Sequence, residues 1–515
     1  MNFKLDRRSV LKSGAAAAAA TAMTSIPAKA AKKGGKLRLG LAGANTSDSW
    51  DGRTHSDSFM ITLAHGAVFD CLTEVAADGS LKGELAESWE ASADAKTWTF
   101  KLRKGVTFHN GKAFGADDVI ASLKMHTAEG AKSAAKPIVE AITGMDKISD
   151  SEIKFTLKAG NADFPFLLSD YHIIMYPAGG ADEAIAKGIG TGLYSVVSFD
   201  PGVRCTLKRV ADHYKGDDAG FFEEIEAIAI NDASARQNAI MTGQVDVINR
   251  VDFKTEALMK ANPNVNIFEV TGNQHYTFPM LTNVAPFDNM KVRQALKYAV
   301  NRQELVDKVL LGHGQIANDH PIGPASPYYA GDLEQNSYDP EKAKSLLKEA
   351  GLSNLKVDLS AANAAFPGAI DAAQLYQASA KAAGIEINVV QEPDDGYWSN
   401  VWLKKSWCAC YWSGRATEDW MFSTAYETGV PWNDTNWENK RFQELLLTAR
   451  AELDADKRRT MYREMQSLMS VEGGTIIPMY ANYVDAHSTK LANSGTIGNT
   501  FQLDGSRIIE RWWFA

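Results

Sequence analysis

The chain has 515 residues, a length that exceeds what one hydrophobic core usually supports, and it therefore predicts two or three lobes. Hydrophobic residues make up 45% and charged residues 23%, proportions typical of globular proteins in water. The formal net charge of −9 disfavours nucleic acid and anionic lipid as partners. After the first thirty residues no stretch reaches the roughly 18 apolar residues of a membrane span.

The first thirty residues have the pattern of an export signal. Basic residues precede a short run of alanines, and Ala28-Lys29-Ala30 has the small-x-small form that signal peptidase cleaves. We therefore expect residues 1–30 to be a signal peptide. The adjacent Arg7 and Arg8 predict the twin-arginine route, and a Sec signal that holds two arginines is the alternative.

The cysteines bear on location and on disulfides. No cysteine follows the expected cleavage site, so we expect no lipid anchor and place the protein in the periplasm of a Gram-negative bacterium as a soluble, exported protein. That oxidising compartment allows disulfides between Cys71, Cys205, Cys408 and Cys410, and their spacing leaves the pairing open. Cys408 and Cys410 alternate on a predicted strand, a geometry that disfavours a bond between them.

Strand and helix patterns mix along the chain, as in an α/β protein. Thr97–Leu102 and Ser151–Leu157 alternate polar and apolar residues and predict strands with one buried face. Asp339-Pro340 predicts a helix start, with an N-cap and a proline at the first position, and Gly351 predicts its end. Two more amphipathic helices are predicted at Phe442–Leu453 and Asp456–Met469.

Tryptophan is unevenly distributed. Seven of the twelve tryptophans lie between Trp398 and Trp437. One interpretation is a well-packed core. The other is an aromatic-lined cavity, because ligand pockets combine apolar walls with a few polar anchors.

Residues 84–120, which include Glu-Leu-Ala-Glu-Ser-Trp and Val-Thr-Phe-His-Asn-Gly-Lys, resemble a known family signature. The family is the family 5 extracellular solute-binding proteins, the peptide- and nickel-type binding subunits of ABC importers. The resemblance covers most of residues 35–515. Shorter segments agree in the same order, at Gly190–Tyr194, Ala235–Asp246, Pro286–Leu296 and Tyr338–Lys344.

The resemblance implies an α/β fold, that of a two-lobed periplasmic binding protein of class II in the large peptide-binding cluster, with an extra subdomain in lobe I. The two strands that cross between the lobes are expected near Phe268–Pro279 and Ile477–Asp485. The implied divisions are lobe I at 31–272 with the subdomain at about 80–185, lobe II at 273–483, and a C-terminal return to lobe I at 484–515.

The resemblance also implies the function of a periplasmic substrate-binding subunit, which captures a peptide or peptide-like solute in the cleft and delivers it to the inner-membrane permease. We expect a monomer whose partners are that solute and the permease, with no cofactor and no bound metal. A carrier of a metal complex, of haem or of another non-peptide solute, such as an opine or an oligosaccharide, is the alternative. We expect no enzyme, because the sequence has no His-Glu-x-x-His, no Gly-x-Ser-x-Gly and no metal-spaced Cys/His cluster.

One departure from the family pattern concerns specificity. In the family's peptide binders a Trp-x-x-Asp segment places a carboxylate against the ligand's amino group, and the matching segment here is Trp412-Ser413-Gly414-Arg415. An arginine in the cleft favours a carboxylate or phosphate, so we expect an anionic group on the solute. A surface position for Arg415 is the alternative. The other expected site residues are Glu418 or Asp419 for an amine, Trp412, Trp420 and Trp398 in lobe II, Asn45, Trp50, Asp51 and His55 in lobe I, and His275 and Tyr276 at the crossing.

Overall fold

A computed structural model describes residues 31–393 and 397–515. The predicted signal peptide, with Arg7 and Arg8, lies outside the described residues. The strands are β1 (Lys36–Leu41), β2 (Thr73–Val75), β3 (Leu81–Gly83), β4 (Ala86–Ala91), β5 (Thr97–Leu102), β6 (Ile142–Ser149), β7 (Glu152–Leu157), β8 (Tyr194–Asp200), β9 (Arg204–Arg209), β10 (Glu224–Ala229), β11 (Val247–Ile248), β12 (Val265–Val270), β13 (His275–Pro279), β14 (Gly314–Ile316), β15 (Leu355–Ala361), β16 (Ile385–Gln391), β17 (Cys410–Trp412), β18 (Thr475–Ala481), β19 (Tyr483–Ser488), β20 (Leu491–Ala492) and β21 (Trp513–Phe514).

The helices lie between these strands and alternate with them along much of the chain. They are α1 (Ser58–Ala64), α2 (Ala116–Thr127), α3 (Lys136–Glu140), α4 (Phe164–Leu167), α5 (Ala181–Lys187), α6 (Ala233–Met241), α7 (Glu256–Lys260), α8 (Met290–Tyr298), α9 (Arg302–Lys308), α10 (Pro340–Glu349), α11 (Ala369–Ala380), α12 (Tyr397–Asn400), α13 (Glu418–Ala425), α14 (Lys440–Ala451), α15 (Ala455–Glu472), the short turn α16 (Gln502–Gly505) and α17 (Ile508–Arg511). The predicted α/β class is confirmed.

Three larger sheets organise the described residues. Sheet A has seven strands in the order β12-β19-β11-β1-β10-β9-β8, and its central strand β1 runs parallel to both of its neighbours. Sheet B is the antiparallel sheet β14-β18-β13-β17, and sheet C is the antiparallel sheet β4-β5-β7-β6. We call the part built on sheets A and C lobe I and the part built on sheet B lobe II. The exact residue boundaries of the lobes stay a prediction.

Local sequence patterns explain several of these elements. Trp98, Phe100 and Leu102 of β5 are buried on one face and pack in the core of sheet C, as the alternation predicts. The side chain of Asp339 caps α10 by accepting a hydrogen bond from the backbone N–H of Lys342 at 2.8 Å. Helices α14 and α15 confirm the two amphipathic predictions, with α15 reaching three residues further than predicted.

The chain crosses between sheets A and B twice, at adjacent places. It leaves β12 for β13 through residues 271–274, and it returns from β18 to β19 through Asn482. The backbone N–H of Ala481 donates to the carbonyl of Gln274 at 3.0 Å, so the two crossings are bonded to each other. Both lie inside the segments predicted to cross, and their action as a hinge stays a prediction.

The lobes also touch away from the crossings. Arg458 of α15 donates to the carboxylate of Asp163 at 2.7 Å, and both side chains are buried. Beside this pair the backbone N–H of Ala162 donates to the carbonyl of Arg450 at 2.7 Å. The part of lobe I that is built on sheet C therefore contacts lobe II directly.

Two further findings concern the described residues. All four cysteines are buried and free. Across residues 31–393 and 397–515, no helix combines the length and the apolar character that crossing a bilayer requires.

Candidate functional site

A cavity of about 900 Å³ lies between the lobes, next to the two crossings. Residues of the crossing return, such as Asn482 and Tyr483, line it together with segments of both lobes. Its volume suits a small solute. The aromatic side chains of the wall are Tyr171, Phe253, Tyr276, Phe366, Tyr411, Tyr483 and Phe501.

Tyr276 of β13 forms the flat part of the lobe II wall. Its ring stacks on the ring of Phe366 with centroids 4.2 Å apart and an interplanar angle of 6°. Tyr276 was expected at the site from its place on the crossing strand, and it lines the cavity. Stacked rings of this kind offer a rigid apolar surface to a ligand.

Arg250 lies on the lobe I wall, just after β11, with its backbone at φ +54°. Non-glycine residues seldom adopt this left-handed conformation, so neighbouring groups must hold it. The N–H of Arg250 donates to Asp485 at 3.0 Å, and its carbonyl accepts from Arg236 at 3.0 Å. Both supporting side chains are buried, and burial raises the pKa of Asp485 to about 6.

The guanidinium of Arg250 forms an ion pair with the carboxylate of Asp57. The second contact, between Nη1 of Arg250 and Oδ2 of Asp57, is 3.4 Å long. The two side chains are 41% and 38% exposed, and both line the cavity, so the cavity is open to solvent beside the pair. This ion pair is a charged feature of the lobe I wall that the sequence interpretation missed.

Arg415 lies two residues after Ser413, which lines the cavity, but Arg415 itself is not among the described residues that line it. Its Nη1 donates to the carbonyls of Ser413 at 2.9 Å and Gly414 at 3.3 Å, and its guanidinium carbon lies 5.7 Å from the ring centroid of Trp420. Within the described part of the chain, no carboxylate forms an ion pair with Arg415. The guanidinium is therefore held in place by its own turn and by an indole.

Tyr411 connects the two arginines electrostatically. Burial and then the Asp57 carboxylate raise the pKa of its hydroxyl, while the positive charges of Arg250 and Arg415 oppose the rise. Both guanidinium charges therefore act on the hydroxyl of a residue that lines the cavity. The charge of Arg415 likewise opposes the rise that burial causes in the pKa values of Tyr171 and Tyr483.

The acidic neighbours of Arg415 have other partners. Glu418 accepts a hydrogen bond from the backbone N–H of Tyr328 at 2.9 Å, and burial raises its pKa to about 7. Asp419 pairs with Arg450 at 3.0 Å, and burial raises its pKa to about 6. Both carboxylates lie in the interior of lobe II, away from the residues that line the cavity.

The expected residues of the lobe I loop have structural contacts. Asn45 forms a turn by accepting from the N–H of Ser47 at 3.0 Å, and Asp51 pairs with Arg53 at 2.8 Å. The other two are buried. Trp50 packs 4.8 Å from the ring of Phe199, and burial lowers the pKa of His55 to about 4. None of the four is among the described residues that line the cavity.

The tryptophans form a cluster of their own. Trp402 lies 5.8 Å from Trp398, 6.2 Å from Trp412 and 6.2 Å from Trp432 between ring centroids. The indole N–H groups of Trp402 and Trp412 both donate to Asp434, whose pKa burial raises to about 7. Tyrosine and phenylalanine rings, and no tryptophan of the described residues, line the cavity. The cluster reaches the cavity through Tyr411, 5.6 Å from Trp398.

His275 faces the interior of lobe II. Its Nδ1 lies 3.1 Å from the carbonyl of Asn273, and its Nε2 is buried without a hydrogen-bond partner in the described part of the chain. Burial lowers its pKa to about 4, so the ring is neutral near pH 7.

One acidic cluster has the spacing of a metal site. Glu74, Glu84 and Glu510 bring carboxylate oxygens within 4.8 Å of one another. Arg507 donates to Glu84 and to Glu510 at 2.8 Å, and Lys215 pairs with Glu84 at 2.7 Å. Basic side chains therefore already neutralise these carboxylates and tie the C-terminal segment to lobe I.

The residues that the sequence interpretation missed lie far apart in the chain. Asp57 follows the expected loop by two residues, and Arg250 follows a segment matched to the family, but no local spacing marks either one. Asp485 is 235 residues from the backbone N–H that it holds. Only the pairing of β11 with β19 brings these groups together.

Comparison with known proteins points to one family of solute-binding proteins. The profile of the bacterial extracellular solute-binding proteins, family 5 Middle, matches residues 80–434. The dipeptide-binding protein of Escherichia coli (strain K12) is 29% identical over 443 residues, which are 76% of this chain and 79% of that protein. Di/tripeptide-binding protein 1 of Pseudomonas aeruginosa (strain UCBPP-PA14) is 30% identical over 465 residues, 82% of this chain and 83% of that protein.

Among solved structures, the ABC transporter-associated periplasmic binding protein DppA from Helicobacter pylori, in complex with the peptide STSA, superposes with a TM-score of 0.79 at 22% identity. The superposition covers 94% of this chain and 99% of that protein. It confirms the two-lobed fold.

Proposed function

Because the chain belongs to the family 5 bacterial extracellular solute-binding proteins, we propose that it is the substrate-binding subunit of an ABC importer and captures a peptide or peptide-like solute with an anionic group. The solute occupies the cavity between the lobes and is then delivered to the permease in the inner membrane. The proteins it resembles are binding proteins rather than enzymes.

The proposal of an anionic group on the solute rests on Arg415, which has no carboxylate ion-pair partner among the described residues. A guanidinium beside a partly closed cavity needs a counter-charge, since an unpaired charge removed from water is unfavourable. Glu418 and Asp419, the two acids nearest in sequence, are bonded elsewhere. The buried carboxylate of Asp170 is influenced by the charge of Arg415 but is hydrogen-bonded to His172, so the solute is the proposed source of a carboxylate that bonds Arg415 directly.

The proposed mechanism is closure of the lobes around the solute. A solute that contacts both walls binds the closed form better than the open form, and it shifts the equilibrium by that difference in affinity. Micromolar affinity corresponds to about 8 kcal/mol in total, part of which is used in ordering the solute and bringing the lobes together. The adjacent crossings give the chain two covalent connections about which the lobes can rotate.

We place the protein in the periplasm as a monomer. The support is the export pattern of residues 1–30 and the family, one relative of which is the nickel-binding periplasmic protein of Escherichia coli (strain K12). Changing Arg7 and Arg8 together to lysine should leave the precursor in the cytoplasm. Normal export of that variant would instead indicate a Sec signal.

A thermal-shift array of dipeptides, tripeptides and small organic acids tests the function, because a ligand that binds only the folded state raises the melting temperature. The most stabilising compound should also reduce the radius of gyration in small-angle scattering. Scattering curves that stay identical with and without a saturating compound would contradict closure.

A further inference from the structure

We propose that Arg250 and Asp57 form a second anchor of the cavity, which holds the neighbouring ammonium and carboxylate groups of a free amino-acid head on the solute. The inference rests on the proposed function and adds the chemistry of the solute's end at the lobe I wall. Arg415, on the other lobe, then receives a second anionic group.

We attribute the left-handed backbone conformation of Arg250 to the placement of its guanidinium at the cavity wall. A sharp turn after β11 alone would be met at φ +54° by glycine or asparagine, which adopt this conformation at little strain. Arginine is strained there, and two buried charged groups, Asp485 and Arg236, are used to hold its N–H and carbonyl. Strain that is supported in this way is typical of residues aimed at a ligand.

The carboxylate of Asp57 is also held in place by its neighbours. Its Oδ1 accepts the backbone N–H of Ser58 at 2.7 Å, and its carboxyl carbon lies where a Cβ on Gly43 would approach to 2.5 Å. Gly43 itself has φ +92°, so only glycine is suited to this contact. As the cap of α1, Asp57 uses Oδ1, which also bonds to Nη2 of Arg250. Oδ2 has a long contact of 3.4 Å to Nη1 of Arg250 and therefore keeps capacity to accept a further hydrogen bond.

The charges of the pair select the type of solute group. Arg250 keeps hydrogen-bonding capacity, because its guanidinium has five donors and its contacts to Oδ2 of Asp57 and to Ser58 are long, 3.4 and 3.5 Å. A lone anion beside Arg250 would be repelled by Asp57, and a lone cation beside Asp57 would be repelled by Arg250. A carboxylate and an ammonium on one carbon satisfy both at once, which is the arrangement in a free amino-acid head.

Two isomers distinguish this arrangement from ordinary peptide binding. γ-L-Glutamyl-L-alanine has a free amino-acid head and a distant carboxylate, whereas α-L-glutamyl-L-alanine has the same formula and charge but no amino-acid head. Calorimetry on the mature protein should give an affinity for the γ isomer at least about 30-fold higher, the scale expected if closure of the lobes over the solute removes the partly exposed pair from water. The thermal-shift array extends the comparison to free amino acids and to other γ- and α-linked pairs.

Variants at the pair complete the test. Asp57→Asn preserves a good helix cap, and Arg250→Lys preserves the charge, so each should fold normally and still weaken binding of the γ isomer about 10-fold or more. Arg441→Ala, which removes a surface arginine paired with Glu464, is the matched control and should leave the affinity unchanged.

Three outcomes would overturn the inference. Equal or tighter binding of the α isomer overturns it and leaves the proposed function standing. Unchanged affinity in both Asp57→Asn and Arg250→Lys does the same. If no compound of either class in the array raises the melting temperature, both the inference and the proposed function fail.

Discussion

The two walls of the cavity are stabilised differently. On the lobe I wall the buried charges are satisfied within the protein: Arg236 donates to four backbone carbonyls, and both oxygens of Asp485 accept backbone N–H groups. On the lobe II side, by contrast, the guanidinium of Arg415 has no carboxylate ion-pair partner among the described residues and is held by the carbonyls of Ser413 and Gly414.

This difference predicts that some residues at the cavity affect the stability of the fold and others affect solute binding. A wall whose charges are already paired keeps its shape without a solute, so its supporting residues should affect the stability of the fold. Arg415, without a carboxylate partner, should affect binding and leave the fold almost unchanged. Substitutions at four positions test this division, in order of decreasing expected effect.

Arg415→Ala should weaken solute binding by roughly 2–5 kcal/mol, because it leaves the solute's anion without its counter-charge. The melting temperature without solute should stay the same. Calorimetry and thermal unfolding measure the two effects. Retained affinity with unchanged stability would place Arg415 on the surface, and a lowered melting temperature would mean that its partner lies within the protein.

Arg236→Met should lower the free energy of unfolding by about 3 kcal/mol, since it removes the donors to four backbone carbonyls, a buried one at residue 249 and partly buried ones at residues 230, 231 and 250. Urea unfolding measures this loss. Arg441→Met, at an exposed position, should change stability by less than about 0.5 kcal/mol. Equal effects at the two positions would contradict the view that lobe I is stabilised by paired buried charges.

Asp434→Asn should alter the pH dependence of stability. Burial raises the pKa of Asp434 from its ordinary value of 3.8 to about 7, so the folded state favours the protonated carboxyl. Its contribution is fully present below about pH 4 and is lost as the pH rises towards 7. The asparagine amide does not titrate. The free energy of unfolding of the variant should therefore rise relative to that of the wild type between pH 4 and 7, by on the order of 1–3 kcal/mol. A pH-independent difference in urea unfolding would contradict the assignment.

Arg250→Gly and Arg250→Ala should both lose the ion pair with Asp57, and the glycine variant should be more stable by about 1 kcal/mol. The reason is that φ +54° strains alanine and not glycine. Parallel urea unfolding of the two variants isolates the backbone contribution. If the alanine variant were equally stable, the backbone of Arg250 would not be held in the left-handed conformation.

The sequence predicted the elements whose signals are local. The cap at Asp339 and the alternation in Thr97–Leu102 depend on neighbouring residues, and both the helix and the strand follow them. The place of Tyr276 at the cavity follows from its position on the crossing strand. The Arg250 anchor was missed, because its conformation depends on Asp485 from a distant strand, and the pairing of distant strands has no local sequence signal.

The tryptophan-rich segment shows the same limit. Its composition predicted either a core or an aromatic cavity, and the tertiary contacts decide between them. Trp407 and Trp437 are core residues, whereas Trp398 and Trp432 remain 41% and 46% exposed at the edge of the cluster around Asp434. The spacing of indoles along the chain does not determine which ring faces a neighbour.

Mass spectrometry of the small molecules released on denaturing freshly purified protein would show whether the bound solute is anionic. We expect a solute with at least one carboxylate or other anionic group, released in nearly equimolar amount by the wild type and strongly depleted in Arg415→Ala. A neutral solute, or an equal yield from the variant, would contradict the account.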